Sequence, residues 1–293
     1  MAKWWMLFLL YLAIAWPQFS QAQATDTADI RRLRQHFKSF AMPRGPVKRP
    51  SAGYGQMRAE QAFYYGCLGV KDSVKYCLQE WLCCGGNLDP GTVGCSAYDY
   101  VKKEPWWKDF EAKAQAAFIA KNDSLKKPEL AYELLRAAGA DQCVRYMGLS
   151  MRNDKKLNKL GMQVDSVNLV LVRRIVAQQG FPGISEVGSE ASQAMFLICQ
   201  HADGDVAFQK KVLALMQKLA ERNDIEKSGV AYLTDRIMVA EKKKQLYGTQ
   251  FQAANVLYPI EDEAHVDERR KKMDMEPLAK YVKAVKEMNG GDK

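Results

Sequence analysis

The sequence predicts an all-α protein: disulfide-stapled helical hairpins of repeat-like character, followed by a compact α-helical domain. Three observations carry this. Apolar residues recur at helical spacing over long stretches, and no segment shows the strict polar–apolar alternation of a half-buried strand. The chain is also large enough, at 293 residues and 47% apolar, to bury one large core or two ordinary ones. The same composition excludes a disordered chain, a collagen-like chain and a small disulfide knot.

The N-terminus sets the expected compartment. Trp4 to Trp16 is an almost unbroken apolar run between Lys3 and Pro17, shorter than the ~20 residues a membrane-spanning helix needs. Ala22-Gln23-Ala24, or Ser20-Gln21-Ala22, supplies a small-x-small cleavage pattern, so residues 1–24 read as a signal peptide. No cysteine follows the run to accept a lipid. A periplasmic or secreted protein with no stable membrane span after cleavage is expected.

Residues 25–55 form a basic linker. Ile30, Leu33, Phe37 and Phe40 fit one short helix; Pro43, Gly45, Pro46, Pro50, Gly53 and Gly55 then break regular structure. The formal net charge is +9, and seven Lys/Arg with no acid lie between Arg31 and Arg49, so the rest of the chain is nearly neutral. That stretch reads as a solvated tether, with attraction to an anionic envelope polymer as the other reading. Export and a nearly neutral body exclude a nucleic-acid partner.

Residues 56–150 predict a cysteine-containing helical module. Met57–Val70 and Asp72–Cys84 suggest a hairpin with Asp72 as N-cap. Pro105 and Pro128 open helices to Ala120 and Ala138, proline being tolerated in a first turn, and Gly139 reads as a stop. The stretch Ala62–Tyr76 resembles a single Sel1-like repeat. Cys67, Cys77, Cys83, Cys84, Cys95 and Cys143 are disulfide candidates in an oxidising space, in pairings the sequence leaves open. No pair has C-x-x-C spacing. Cys199 lies in an apolar helical run and reads as a buried free thiol.

Residues 151–288 predict the C-terminal domain. Leu157, Leu160, Val164, Val167, Leu171 and Ile175 make one apolar stripe, and Val167–Val172 is apolar nearly all round, which predicts burial on several sides. Gly180-Phe181-Pro182-Gly183 ends this helix. Ser189 caps the next, to about His201; Asp203-Gly204-Asp205 recaps a third, Val206–Ala220; Ser228 opens a fourth, Gly229–Lys244.

The polar motifs of this half come in a fixed order. They are Gly180-Phe181-Pro182-Gly183, Gln200-His201-Ala202-Asp203, Ala231-Tyr232-Leu233-Thr234-Asp235-Arg236, Tyr247-Gly248-Thr249-Gln250-Phe251, Pro259-Ile260-Glu261-Asp262 and Val266-Asp267-Glu268-Arg269-Arg270. On these marks, residues from about 160 to 282 resemble a bacterial domain family of unknown function, with Phe181 where that family usually has Trp. The resemblance implies a helical domain of exported or repeat-containing proteins and no assigned activity.

Read from the residues, the motifs hold two kinds of candidate. His201, Asp203, Asp235 and Arg236 could form an acid–base and anion-holding cluster, because imidazole titrates near neutral pH and a neighbouring carboxylate can orient it. Against that, His201 suits a helix C-terminus, Asp203 suits a turn, and Asp235 sits nearly opposite the apolar stripe of its helix, as a solvated carboxylate would. A catalytic Asp235 requires a cleft formed with the Tyr247–Phe251 turn. Tyr247, Thr249, Gln250, Asp267 and Arg269 are ligand-contact candidates, Gly248 allowing the turn to present its neighbours together. A metal would need His201 and His265 joined by Asp203, Asp262 or Asp267, and no metal motif or cofactor fingerprint is present.

Two functions follow. The first is an exported interaction module that holds a protein or peptide partner in the cell envelope. The alternative is a hydrolase using His201 with Asp203 or Asp235, and Arg236 for an anion.

Overall fold

A computed structural model describes residues 52–83, 89–150, 155–253 and 256–288. The expected signal peptide, nearly all of the expected basic linker and Cys84 lie outside these residues. The described chain is helical apart from one two-stranded sheet, as its periodicity requires. It divides into two compact units, residues 52–164 and residues 165–288.

In the first unit, α1 (Ala52–Leu68) and α2 (Lys71–Cys83) form the expected hairpin. Gly69 turns between them with φ +73°, a conformation that costs glycine least. Asp72 falls inside the first turn of α2 rather than ahead of it. Val74, Leu78 and Trp81 of α2 bury against Tyr98, Val101, Trp107 and Phe110. α3 (Pro90–Gly94) is capped by Asp89, whose carboxylate accepts the Gly91 N–H at 3.0 Å. A 3₁₀ turn at Ser96–Tyr98, α4 (Pro105–Lys121) and α5 (Pro128–Ser150) follow.

Gly139 does not stop a helix; α5 runs through it. A Cβ on Gly139 would stand 2.1 Å from the Gly91 Cα, and one on Gly94 would stand 1.9 Å from the Arg136 carbonyl oxygen. The glycines are there for contact: they let the α3 and α5 backbones touch. The same approach sets Cys95 and Cys143 5.2 Å apart at Cα, and they form a disulfide.

The other candidate bridges need correction. Cys67, Cys77 and Cys83 carry free thiols. Six residues of helix separate Cys77 from Cys83 by about 9 Å along α2, beyond bridging reach. Burial pushes the Cys67 thiol up to about 11, and the Cys77 thiol donates weakly to Gln61 Oε1.

In the second unit, α6 (Lys155–Gln179) contributes its C-terminal part. α7 (Ile184–Val187), α8 (Ser189–Gln200), α9 (Val206–Glu221) and α10 (Lys227–Ala240) come next. Asp205 caps α9 as expected, accepting the Phe208 N–H at 3.0 Å. Gly188, not Ser189, is the cap residue of α8, and Ser189 bonds Glu226 instead. α10 ends four residues before the predicted Lys244, because Lys242 adopts φ +60° and its N–H closes on the Val239 carbonyl.

After α10 the chain makes β1 (Phe251–Ala253) and β2 (Val256–Leu257), a small antiparallel pair the periodicity did not reveal. A 3₁₀ turn at Glu263–His265, α11 (Val266–Lys272) and α12 (Leu278–Met288) complete the unit. Its core includes Val172, Ile175, Met195, Leu197, Val212, Met216 and Leu233. Cys199 is a fully buried free thiol, as its apolar run suggested.

The expectation that Val167–Val172 is covered on several sides fails in part. Val172 is fully buried, whereas Val167 and Val170 are 68% and 70% exposed. Val170 lies about 180° round the helix from the midpoint of buried Asn168 and Val172, and Val167 about 120°. Among the described residues, no helix is long and apolar enough to cross a membrane.

Candidate functional site

Six motifs scattered through the sequence supply internal braces of the second unit. Gly180 turns the chain with φ +79° and Phe181 buries. The Gly183 N–H is taken by the Glu186 carboxylate at 3.2 Å. Asp224, ahead of α10, accepts from the Ser185 N–H and hydroxyl at 2.7 and 3.0 Å. A Cβ at position 183 would stand 2.2 Å from that carboxylate, so this glycine is what lets Asp224 close on the α7 N-terminus.

Asp235 is the centre. It is 0% exposed, so the expected solvated carboxylate is corrected. It faces the turn after α10, as the cleft reading required, but the turn fills the space. Oδ1 accepts the Leu246 and Tyr247 N–H groups at 2.8 and 3.0 Å. Oδ2 accepts the Thr249 N–H at 3.0 Å and its hydroxyl at 2.9 Å. Burial pushes the Asp235 carboxyl up while these donors pull it back down, leaving it above its ordinary value. A perturbed carboxylate can mark a general base; here both oxygens are already occupied by the protein's own donors.

The rest of the loop is held the same way. Buried Gln245 donates to the carbonyls of Gln250 and Tyr258 and accepts the Gln250 N–H at 2.8 Å. Gly248 takes φ +71° with Leu278 and Ile260 packed where a Cβ would go. Arg269 donates to the carbonyls of Leu246, Glu261 and Asp262. Arg270, 1% exposed, donates to the carbonyls of Tyr247 and Glu276 and lies over the Tyr281 ring, 5.0 Å from its centroid. Asp267 accepts the Leu278 N–H at 2.7 Å, fixing the start of α12.

The predicted ligand contacts Thr249, Gln250, Asp267 and Arg269 all make hydrogen bonds within the protein, and these bonds have a common cause. A non-helical turn leaves backbone donors and acceptors without ladder partners, and buried ones must find side chains. Tyr247 is half-buried, and its backbone carries the contacts.

Asp203 and Arg236 do come together, as a two-pronged ion pair with Nε and Nη2 donating at 2.5 and 2.6 Å. Burial pushes the Asp203 carboxyl up, but hydrogen bonding and charge from Arg236 outweigh it and hold it below the ordinary carboxylate value. This pair ties the α8–α9 turn to α10. His201 forms the C-cap of α8.

Two features escaped the sequence reading. Asp165 on α6 brings a carboxylate oxygen within 4.8 Å of a His201 ring nitrogen. In the first unit, Asp141 and Arg145 form a buried ion pair on α5, with Arg145 Nη2 donating at 2.7 Å and Gln142 also donating to Asp141. The i, i+4 spacing of Asp141 and Arg145 was the available signal; their burial was not legible. His265 bonds Asp262 at 2.9 Å, so the carboxylates proposed to join two histidines each have other work. Arg236 holds Asp203, His265 and Arg269 engage Asp262, and the Leu278 N–H engages Asp267.

Fold and site together define a class: a helical protein whose polar motifs brace a long turn against the ends of its own helices. The chain belongs to a family of unknown function, DUF6624, which matches residues 128–292, more than half of its length. The match begins at the start of α5, ahead of the motif-bearing stretch. No curated protein matches the chain, and no solved structure does.

Proposed function

We propose that this is an exported bacterial protein, periplasmic or secreted, that serves as a protein- or peptide-interaction module. The single observation behind this reading is the saturation of Asp235. The carboxylate best placed for chemistry accepts three backbone amides and a hydroxyl, and the residues around it are bonded into the same brace. Such a network fixes a loop and a surface, which suits recognition. General base catalysis needs a free lone pair within reach of a substrate proton. The signal-peptide pattern at residues 1–24 supports export.

The test is in the envelope. N-terminal sequencing of the mature chain from a periplasmic or medium fraction is expected to start after Ala24 or Ala22. Photo-crosslinkers scanned over exposed positions of that chain are expected to give products at a discrete patch and none elsewhere. Cytoplasmic full-length protein, or the absence of products at every position, overturns the reading.

A hydrolase reading keeps one observation in its favour, the approach of Asp165 to His201. Under it, H201A abolishes a measurable hydrolysis while leaving the crosslinks intact.

A further inference from the structure

We propose that the lysines gathered where α10 ends form a contact surface for an anionic lipid bilayer, an inference that goes beyond recognition of a protein or peptide. Lys242 takes φ +60°. Its N–H bonds the Val239 carbonyl at 2.9 Å, and the Lys243 N–H bonds the Met238 carbonyl at 2.8 Å. Glycine is the usual left-handed residue in that double closure. The other left-handed residues besides glycine, among the described ones, are Asn223, Asp262 and Asp274, types that tolerate such a backbone. Lysine gains nothing locally from it, so a lysine held there at a cost points to a use outside the fold.

Its neighbours carry the same charge. Lys210 of α9 and Lys242, Lys243 and Lys244 after α10 are all exposed. Lys210 and Lys243 share half-buried Glu241, which fixes both at one place. Lys242 and Lys244 form no ion pair among the described residues. Exposed Glu261 comes near through its N–H bond to the Gln245 carbonyl, yet pairs with neither. Four cations against two acids leave positive charge in solvent. A cation near a helix C-terminus answers the helix dipole, but Lys243 meets that need without a left-handed backbone.

Chemistry selects the occupant. All four cations are lysines, compact hydrated point charges; a discrete carboxylate or phosphate is better held by the fork of arginine. Protein interfaces are depleted of lysine and built around apolar and aromatic anchors. Among the described residues between 206 and 250, no large apolar side chain is exposed. A bilayer with anionic headgroups asks for neither forks nor anchors, because its charge is diffuse and each nearby lysine adds to the attraction. The seven Lys/Arg between Arg31 and Arg49 carry the same sign and would be drawn to the same surface.

The experiment is cosedimentation of the mature full-length protein with vesicles. One set is equal parts phosphatidylglycerol and phosphatidylcholine, the other phosphatidylcholine alone. Binding is expected to the first set and not the second, and to weaken as salt rises. K242Q/K244Q is expected to bind at least about tenfold more weakly, with unchanged circular dichroism. K242G separates charge from backbone: it is expected to resist urea as well as the parent or better, while binding about fivefold more weakly.

Equal binding to both vesicle sets overturns the inference, as does binding indifferent to K242Q/K244Q. So does a K242G protein that binds like the parent, which would leave Lys242 a helix end and nothing more. Release by inorganic phosphate at matched ionic strength would give the lysines to a discrete phosphate site. Crosslinks from positions 242 and 244 to a protein would give them to an acidic partner. Either result overturns the bilayer assignment.

Discussion

Replacing Asp235 tests the brace most directly. In D235A, the Thr249 amide loses its acceptor in a fully buried position, and the Leu246 and Tyr247 amides lose theirs in part-buried ones. An unsatisfied buried donor costs about 1–3 kcal/mol. Water can reach the two part-buried amides once the loop relaxes, so the three do not add in full. We expect D235A to cost about 3–5 kcal/mol, at the upper end of single substitutions. D235N keeps one carbonyl oxygen but turns an NH2 toward amide donors, and is expected to cost about 2–3 kcal/mol; T249V removes only the hydroxyl bond and about 1 kcal/mol.

The assay needs care, because all six tryptophans precede residue 108. Tryptophan fluorescence would miss the relevant unit, so urea unfolding is followed by circular dichroism. Hydrogen exchange at the Leu246, Tyr247 and Thr249 amides supplies the local readout, expected to lose protection first in D235N. A D235N protein within about 0.5 kcal/mol of the parent, with those amides still protected, would refute the reasoning.

Four further outcomes follow from other contacts. G139A drives a methyl group into the Gly91 backbone at 2.1 Å and is expected to cost about 3 kcal/mol in urea unfolding of the first unit. Removing the Cys95–Cys143 bridge, which spans 48 positions, is expected to cost about 4 kcal/mol on loop-entropy grounds, read from denaturation with and without reductant. Hydrogen bonds from Lys210 and Lys243 hold the half-buried Glu241 carboxyl down to about 2. Its contribution to stability is therefore complete above the ordinary glutamate range and disappears as pH falls toward 2, and K210M should raise its NMR-detected titration. R236M should likewise raise the Asp203 titration and cost about 1 kcal/mol or less, since half of that carboxylate is in water.

Much of the fold was legible because helical periodicity is local. The α1–α2 hairpin, the prolines opening α4 and α5, the Asp205 cap and the buried Cys199 all depend on neighbours within a few residues. The same logic misread Gly139. A glycine after an apolar stretch reads as a stop, and only the approach of a distant backbone shows it to be a contact point. Asp235 failed for a related reason. A helical wheel places it opposite its own helix's core stripe, and nothing local says that a turn more than ten residues later folds back over it.

By itself, then, the sequence determined a helical chain with an export signal pattern, a basic leader and a set of polar motifs in a fixed order. Tertiary structure alone decided what those motifs do. Backbone groups in the turn after α10 have no ladder partners, and burial forces them onto Asp235, Gln245, Arg269 and Arg270 from elsewhere in the chain. It also decided which apolar residues stay uncovered: hydrophobicity at Val167 and Val170 is written in the sequence, but whether anything packs on them depends on where the other helices lie.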